Sequence, residues 1–376
     1  MRYPEICIAG AGIIGLSLAL ELDHRGASVV VLDQSTPLSE ASSAAAGMLA
    51  AADPDNPLQL RPLSNLSLSL YPAFLDRIES LTGIHVPFHT NTTLQALSPD
   101  LAASISEQDT LSPETLALLQ PQLDPGDHRF LFLSENSLDP RELAAALLEA
   151  VLSTTIDLRP NAPIRNVRHV RSSVEIETAS GVVRAARFVD CTGAWALTSH
   201  LLPELRVVPR KGQMLAVALP PSLPLHLVVR ASEIYVVPRT VGSTANRALI
   251  GATVEDAGFD KTVRASDIAH LRALAAKLLP PLAGAHQLET WAGSRPATED
   301  GLPILGAIPG HSNHFIATGH YRNGILLAPA TAHVMSQVLA DERSSIDLFP
   351  FSPERHPREK SNPKAAQRAR YSRTSS

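Results

Sequence analysis

The chain has 376 residues, of which 44% are hydrophobic and 18% are charged, and its formal net charge is −5. This length allows two domains with sizeable cores, and the composition is typical of globular proteins. The small negative charge gives no reason to expect a nucleic-acid partner. No apolar run reaches the roughly 18 residues of a membrane-spanning helix. The first predicted strand begins almost at Met1 and leaves no room for a signal peptide, so we expect a cytoplasmic protein.

A short apolar segment near the N-terminus is followed by three glycines. Residues 6–9 predict a buried strand, and Gly10, Gly12 and Gly15 then fit the spacing G-x-G-x-x-G. In this pattern the first glycine permits a tight turn, the second lets the backbone approach a pyrophosphate, and the third allows a helix to pack closely on the strand. The helix that follows offers free N–H groups to phosphates. The segment therefore predicts a dinucleotide site.

An acidic residue follows at the end of the second predicted strand. Asp33 lies 18 residues after Gly15 (33 − 15), close to the spacing of an acid that binds ribose hydroxyls. A carboxylate there repels a 2′-phosphate, so NADP is disfavoured. The alternative is a glycine-rich turn without a ligand, but strand, glycines, helix and acid together favour a dinucleotide. The motif does not distinguish NAD from FAD.

The next segment, residues 41–49, is rich in small residues and reads ASSAAAGML. Alanine favours a helix, whereas Gly47 and the serine pair favour a looser conformation. With the glycine motif, this segment resembles the D-amino-acid-oxidase-like FAD-dependent flavoproteins, and within them the glycine oxidase group of thiamine biosynthesis. In that family small residues pass under the flavin, where large side chains would block it. An ordinary alanine-rich helix is the alternative.

The resemblance implies that FAD is the cofactor. Related amine oxidases attach the flavin to a cysteine near the C-terminus; this chain has only Cys7 and Cys191, which we expect to be buried, so the FAD should be non-covalent. The fourteen histidines show no ligand spacing, so no metal is predicted. The positions expected to contact FAD are Gly10, Gly12, Ile13, Ile14, Gly15, Asp33, Gln34, Ala41, Ser42, Ala46, Gly47, Met48, Ile164, Gly193, His320, Tyr321, Arg322, Asn323, Gly324, Ile325 and Leu326.

Three side chains are candidates for binding a carboxylate substrate. Arg295 lies in a GSRP motif, Arg322 lies in an HYRNG motif before the last predicted helix, and Tyr235 lies on a predicted strand. The planar fork of arginine makes two parallel hydrogen bonds to a carboxylate. The resemblance implies that Arg295 anchors the substrate carboxylate, and that Arg322 and Tyr235 face the substrate.

Each candidate has a structural alternative. Arg295 would pair with Glu299 or Asp300, Arg322 would support only the cofactor, and Tyr235 would belong to the core. For His320, we expect a contact between its backbone and the flavin rather than a role as a proton shuttle.

The expected fold class is mixed α/β, with a parallel FAD-binding sheet, surrounding helices and an inserted antiparallel substrate sheet. Period-2 patterns between residues 207 and 255 predict the antiparallel strands. The predicted FAD-binding domain comprises residues 1–85, 139–205 and 290–345, and the predicted substrate domain comprises 86–138 and 206–289. Residues 353–376 form a basic, proline-rich tail that we predict to be disordered.

The function implied by the resemblance is oxidation of glycine, or another small amino acid, to an imine. Molecular oxygen then reoxidises the flavin and yields hydrogen peroxide, and the imine hydrolyses to glyoxylate and ammonia or enters thiazole assembly. One alternative is a D-amino acid or sarcosine oxidase, or a dehydrogenase with another electron acceptor. An alternative of another class is a non-catalytic flavin- or NAD-binding module. We expect a homo-oligomer.

Overall fold

The computed structural model describes residues 4–170, 172–196, 202 and 206–355. The strands are β1 (Ile6–Ala9), β2 (Val29–Leu32), β3 (Phe88–Thr90), β4 (Thr93–Ala96), β5 (Phe130–Leu133), β6 (Ser137–Leu138), β7 (Asp157–Arg159), β8 (Ile164–Val170), β9 (Ser173–Thr178), β10 (Gly181–Ala185), β11 (Arg187–Asp190), β12 (Val208–Ala218), β13 (Val228–Arg230), β14 (Tyr235–Arg239), β15 (Arg247–Gly251), β16 (Gln287–Ala297), β17 (Ile304–Ala307) and β18 (His314–Thr318).

The helices lie between these strands. They are α1 (Ile13–His24), α2 (Ala41–Ala44), α3 (Arg61–Thr82), α4 (Pro99–Ser104), α5 (Pro113–Leu119), α6 (Pro140–Leu152), α7 (Ala265–Leu278) and α8 (Gly324–Leu339). Within the described ranges, none of them combines the length and the apolar character needed to cross a membrane.

A six-stranded sheet in the order β17-β18-β11-β1-β2-β7 forms the first half of the fold. Its neighbours pair in parallel except for β17 and β18. Every residue of β1 and β2 is buried, as continuous apolar runs in parallel sheets are. Because parallel strands end at the same edge, the turn after β1 and the acid after β2 are neighbours. This confirms the predicted α/β class.

Both faces of the parallel sheet are covered. Helices α1, α3, α6 and α8 share one apolar core with it. The antiparallel strands β8, β9 and β10 cover the opposite face through a second cluster that includes Cys7 and Phe188. The carboxyl edge of the strands is left for the site.

A seven-stranded sheet in the order β16-β12-β15-β14-β13-β4-β5 forms the second half. Its pairs are antiparallel except for β13 and β4. Alternation along β12 sends Leu215 and Val217 into a cluster with α7, and sends Met214 and Ala216 into a cluster with Tyr235 on the other face. The predicted inserted antiparallel sheet is therefore present.

Two predicted boundaries differ from the structure. The sequence predicts that the chain returns to the FAD-binding domain at residue 290. In the structure, residues 290–297 belong to β16, which pairs with β12 of the antiparallel sheet as far as Ala297 opposite Val208. Arg295 therefore belongs to the antiparallel sheet. Arg355, inside the tail predicted to be disordered, is buried and donates a 2.8 Å hydrogen bond to Asp300. The rest of that tail, 356–376, lies outside the described residues, and the division into domains stays a prediction.

Candidate active site

The glycine turn after β1 is shaped by close backbone contacts. Gly10 has φ +98°, and a Cβ there would lie 2.5 Å from the carbonyl oxygen of Cys191. A Cβ at Gly15 would overlap the carbonyl oxygen of Gly10, so α1 packs directly on the turn. At Gly12, the N-cap of α1, a Cβ would meet Ser42 Oγ at 3.5 Å. The space beyond Gly12 is open, as a phosphate cradle requires.

Asp33 is tied to this turn. Its Oδ2 accepts a 2.6 Å hydrogen bond from the backbone N–H of Ala11, and its Oδ1 accepts one of 2.8 Å from the N–H of Ser35. On the other side of the turn, Ser42 Oγ accepts a 2.9 Å bond from the N–H of Ile13. The carboxylate and the first turn of α1 are thereby held in one fixed arrangement before any ligand binds.

The small-residue segment is not a continuous helix. Helix α2 ends at Ala44, and Ala45 is extended with φ −69° and ψ 157°. Gly47 has φ +85°, and a Cβ there would lie 2.8 Å from the ring of Pro140. The alternative of an ordinary alanine-rich helix is therefore wrong, because the chain must turn at Gly47 to pass over α6.

A cavity of about 300 Å³ joins the glycine turn to the seven-stranded sheet. Arg295, Tyr235 and most of the predicted cofactor positions line it. Two predicted positions are not at its wall: Gly15 packs beneath Gly10, and Leu326 is buried in the helical core. The open backbone at Gly12 and the fixed carboxylate of Asp33 fit a dinucleotide at one end of this cavity.

Arg295 occupies the other end. Its guanidinium lies over Gly212 of the neighbouring strand, where any Cβ would overlap it. Its Nη1 donates a 3.1 Å hydrogen bond to the carbonyl oxygen of Thr253. The alternative pairing of Arg295 with Asp300 is wrong, because Asp300 binds the fork of Arg355 at 2.8 and 3.2 Å.

Thr253 is itself held by a partly buried polar network. Its Oγ1 donates a 2.5 Å bond to Glu255 and accepts one of 2.8 Å from the backbone N–H of Gln213. The fully buried Lys211 places Nζ 3.3 Å from Glu255 Oε2. Burial would raise the pKa of Glu255, but the hydrogen bonds and the nearby ammonium together hold it below its usual range. The carbonyl that orients Arg295 is thus rigidly supported.

Tyr235 lies beside Arg295. It sits opposite Gly251 in the sheet, and a Cβ at Gly251 would lie 2.7 Å from its hydroxyl oxygen. The hydroxyl donates a weak 3.5 Å bond to Met214 Sδ. Burial raises the pKa of Tyr235, and the charges of Arg295 and Arg322 offset part of that shift. The hydroxyl therefore stays protonated and able to donate.

Arg322 lies in a short turn before α8 and is bound to an acid. Its Nη2 is 3.1 Å from Oδ2 of Asp53, a buried residue on the cavity wall. Asp53 Oδ2 is also 3.7 Å from Nη1 of Arg230, and Arg230 Nη2 is 3.2 Å from Glu135 Oε2. Asp53, Arg230 and Glu135, the other members of this network, were not identified from the sequence. The usable signal in the sequence was that the apolar strand β13 ends on a charged residue, Arg230. In the structure, Arg230 pairs opposite Tyr235.

His320 and Asn323 make contacts with other parts of the fold. His320 Nε2 lies 3.0 Å from Thr331 Oγ1, and burial lowers the pKa of His320 to about 3. The imidazole is therefore neutral near pH 7 and held by α8, which argues against a proton shuttle. Asn323 Nδ2 donates to Asn56 at 3.2 Å instead of capping α8. The predicted flavin contact through the backbone of His320 stays a prediction.

Among the described residues, His89, Asp139 and Glu142 bring possible metal ligands within reach of one another. His89 Nδ1 accepts a 3.1 Å bond from the N–H of Thr240, so the neutral ring carries its proton on Nε2, facing Glu142 at 3.7 Å. The buried guanidinium of Arg239 lies 3.3 Å from Asp139. This group reads as a structural link between α6 and β14.

Comparison with known proteins identifies relatives of the whole chain. The family described as FAD dependent oxidoreductase matches residues 5–338. A glycine oxidase from Pseudomonas putida is 34% identical over 93% of this chain and 98% of its own length. The bifunctional protein ThiO/ThiG from Trichormus variabilis is 36% identical over 92% of this chain, which spans only 54% of that protein. The crystal structure of glycine oxidase from Geobacillus kaustophilus superposes with a TM-score of 0.88 at 32% identity, covering 95% of this chain and all of that one.

Proposed function

The chain belongs to the family of FAD-dependent oxidoreductases, and from this premise we propose that it oxidises glycine and other small amino acids. It is an enzyme, and its cofactor is FAD. The similarity to glycine oxidases over nearly the whole chain supports amino acid oxidation as the reaction.

The observation that carries the proposal is that one cavity joins the glycine turn to Arg295 and Tyr235. The residues that fit the dinucleotide are Gly10, Gly12, Asp33 and the segment around Gly47. A carboxylate bound at the far end would be held against the cofactor that the glycine turn binds.

Arg295 would hold the substrate by its carboxylate. The bond to Thr253 fixes the plane of the guanidinium, and its remaining N–H groups can form the bidentate pair that arginine makes with carboxylates. Tyr235 would donate its hydroxyl hydrogen to the same carboxylate. Such positioning supplies a large part of catalysis in a reaction that needs little acid–base chemistry.

The wall beside Tyr235 supports a small substrate. Met48 and Met214 belong with Tyr235 to one apolar cluster, and all three line the cavity. Because this apolar wall lies close to the carboxylate anchor, the Cα of a bound amino acid would face the cofactor end of the cavity.

When bound, FAD would supply the two-electron oxidation that converts the amine to an imine, with molecular oxygen as the final electron acceptor and hydrogen peroxide as its product. The imine product hydrolyses to glyoxylate and ammonia, or supplies thiazole assembly. The resemblance to glycine oxidases of thiamine biosynthesis supports the second fate. A cytoplasmic location and a homo-oligomer stay predictions.

The test is an anaerobic titration of the purified protein followed by its visible spectrum. Glycine or sarcosine should bleach the flavin absorbance, and admission of oxygen should restore it with formation of hydrogen peroxide. Bleaching by a bulky D-amino acid with a higher kcat/KM than glycine would move the protein to the D-amino acid oxidases. A flavin that none of these compounds reduces would favour a non-catalytic binding module.

A further inference from the structure

We propose that Asp53 is a specificity-determining residue: by holding Arg322 in an ion pair, it excludes amine substrates that carry a second carboxylate. The inference rests on the proposed function, because it concerns which amino acids reach the same site. It adds a residue and a selection rule that the carboxylate anchor Arg295 does not provide.

The position of Asp53 is fixed on both of its carboxylate oxygens. Oδ1 accepts a 3.0 Å hydrogen bond from the backbone N–H of Asp55. Oδ2 faces two guanidinium groups, at 3.1 Å from Arg322 Nη2 and 3.7 Å from Arg230 Nη1. The Asp53 side chain is only 6% exposed. A buried carboxylate with these contacts cannot turn away from its partners without losing both of them.

Arg230 is held from behind. Its Nη2 lies 3.2 Å from Glu135 Oε2, and its Nε donates to the side-chain oxygen of Gln95. Glu135 Oε1 in turn accepts a 3.0 Å bond from the N–H of Ala52. The wall, which also includes Asp55, therefore contains two guanidinium groups and three carboxylates, and its formal charge is −1. Burial raises the pKa of Glu135, and Arg230 counters that shift.

This acidic wall faces the substrate end of the cavity. Asp53, Arg230 and Arg322 line the same cavity as Arg295 and Tyr235. In the sheet, Arg230 pairs opposite Tyr235, which brings this wall next to the tyrosine beside the carboxylate anchor.

A dicarboxylate bound through Arg295 would present its second carboxylate to this wall. Arg322 is the positive group that could receive it, but Asp53, 3.1 Å from Arg322 Nη2, offsets its charge and repels the incoming carboxylate. Glycine has no second carboxylate and meets no such repulsion. A like charge placed against a substrate class is a common means of selectivity. Removing the carboxylate of Asp53 would make the wall formally neutral and free Arg322 for an anion.

The experiment compares three substrates with the holoenzyme: glycine, sarcosine and iminodiacetate, which is glycine with a second carboxymethyl group on nitrogen. The measured quantity is the ratio of kcat/KM for iminodiacetate to kcat/KM for sarcosine, because both are N-substituted. In Asp53→Asn this ratio should rise by about tenfold or more, mainly through a lower KM for iminodiacetate. Asp109→Asn is the control, since it removes the same charge at an exposed position that does not line the cavity, and its ratio should change less than about twofold.

The outcomes separate the two levels of the proposal. A wild-type protein that does not oxidise glycine would overturn the proposed function. Normal glycine oxidation with an unchanged ratio in Asp53→Asn, or an equal rise in Asp109→Asn, would overturn the role of Asp53. A further test uses the wild-type protein alone, so it does not depend on a variant that folds. The binding of acetate and of malonate is measured by the change that each causes in the flavin spectrum. Acetate should bind more tightly, and tighter binding of malonate would contradict the inference.

Discussion

The guanidinium of Arg295 donates a 3.1 Å hydrogen bond to the carbonyl oxygen of Thr253. Thr253 is fixed in turn by Glu255 and by the backbone of Gln213. An arginine held in this way is oriented before the substrate arrives, so less side-chain freedom is lost on binding. The pair connects the buried network behind the sheet to the cavity in front of it.

Replacing Arg295 with alanine should remove the bidentate carboxylate contact and cost on the order of 2–5 kcal/mol of transition-state binding. Steady-state kcat/KM for glycine should therefore fall more than about thirtyfold. Arg295→Lys should recover only part, because a point charge does not reproduce the fork. The flavin spectrum should remain, since the glycine turn lies at the other end of the cavity. Near-normal glycine oxidation by Arg295→Ala would make Arg322 the next residue to test.

Gly251→Ala should displace Tyr235, because the added Cβ would lie 2.7 Å from the hydroxyl oxygen and 2.9 Å from Cε2 of the ring. The KM for glycine should rise about tenfold, as expected when a hydrogen bond to a charged group is lost. Gly284→Ala is the matched control, because a Cβ there meets nothing within 4 Å. Equal kinetics for the two variants would show that Tyr235 does not contact the substrate.

Acid or heat should release FAD from the purified protein into solution. Cys191 lines the cavity, but it is buried and its pKa is raised well above the usual value by burial, so its thiol is protonated and a poor nucleophile. Cys7 is also buried and free, as predicted. The denatured protein is separated from the supernatant, and the flavin absorbance of the supernatant is measured. Yellow colour that stays with the precipitate would contradict non-covalent binding.

Asp300→Asn should destabilise the protein, because it leaves the buried Arg355 without its carboxylate, at a cost on the order of 3–5 kcal/mol. Burial would raise the pKa of Asp300, but hydrogen bonds and charge from Arg355 hold it below its usual range. The ion pair therefore stabilises the fold fully above the unfolded pKa of about 3.9 and is lost as pH falls toward the lower folded value. Below about pH 4, the Tm of the wild type should fall more steeply with pH than the Tm of Asp300→Asn. Parallel pH profiles would assign the acid sensitivity to other groups.

The cofactor end of the site was predictable from the sequence because its geometry is local. A buried strand, a turn that only glycine permits at Gly10, and a helix starting at Ile13 fix one another within a few residues. Asp33 follows because the adjacent parallel strand ends at the same edge of the sheet. Spacing along the chain thus translates directly into spacing in the molecule.

The resemblance led to Arg295 and Tyr235, but it gave no information about what surrounds them. Asp53, Glu135 and Arg230 come from three distant segments, and only the packing of the seven-stranded sheet against the helical half brings their charges within 4 Å. The same holds for Arg355, whose partner Asp300 lies 55 residues earlier. Buried ion pairs depend on which side chains are brought into contact by folding, and those contacts cannot be read from a single sequence. The amino-acid sequence by itself determined the cofactor cradle and the family, whereas the tertiary structure decided which charges are free to meet a substrate.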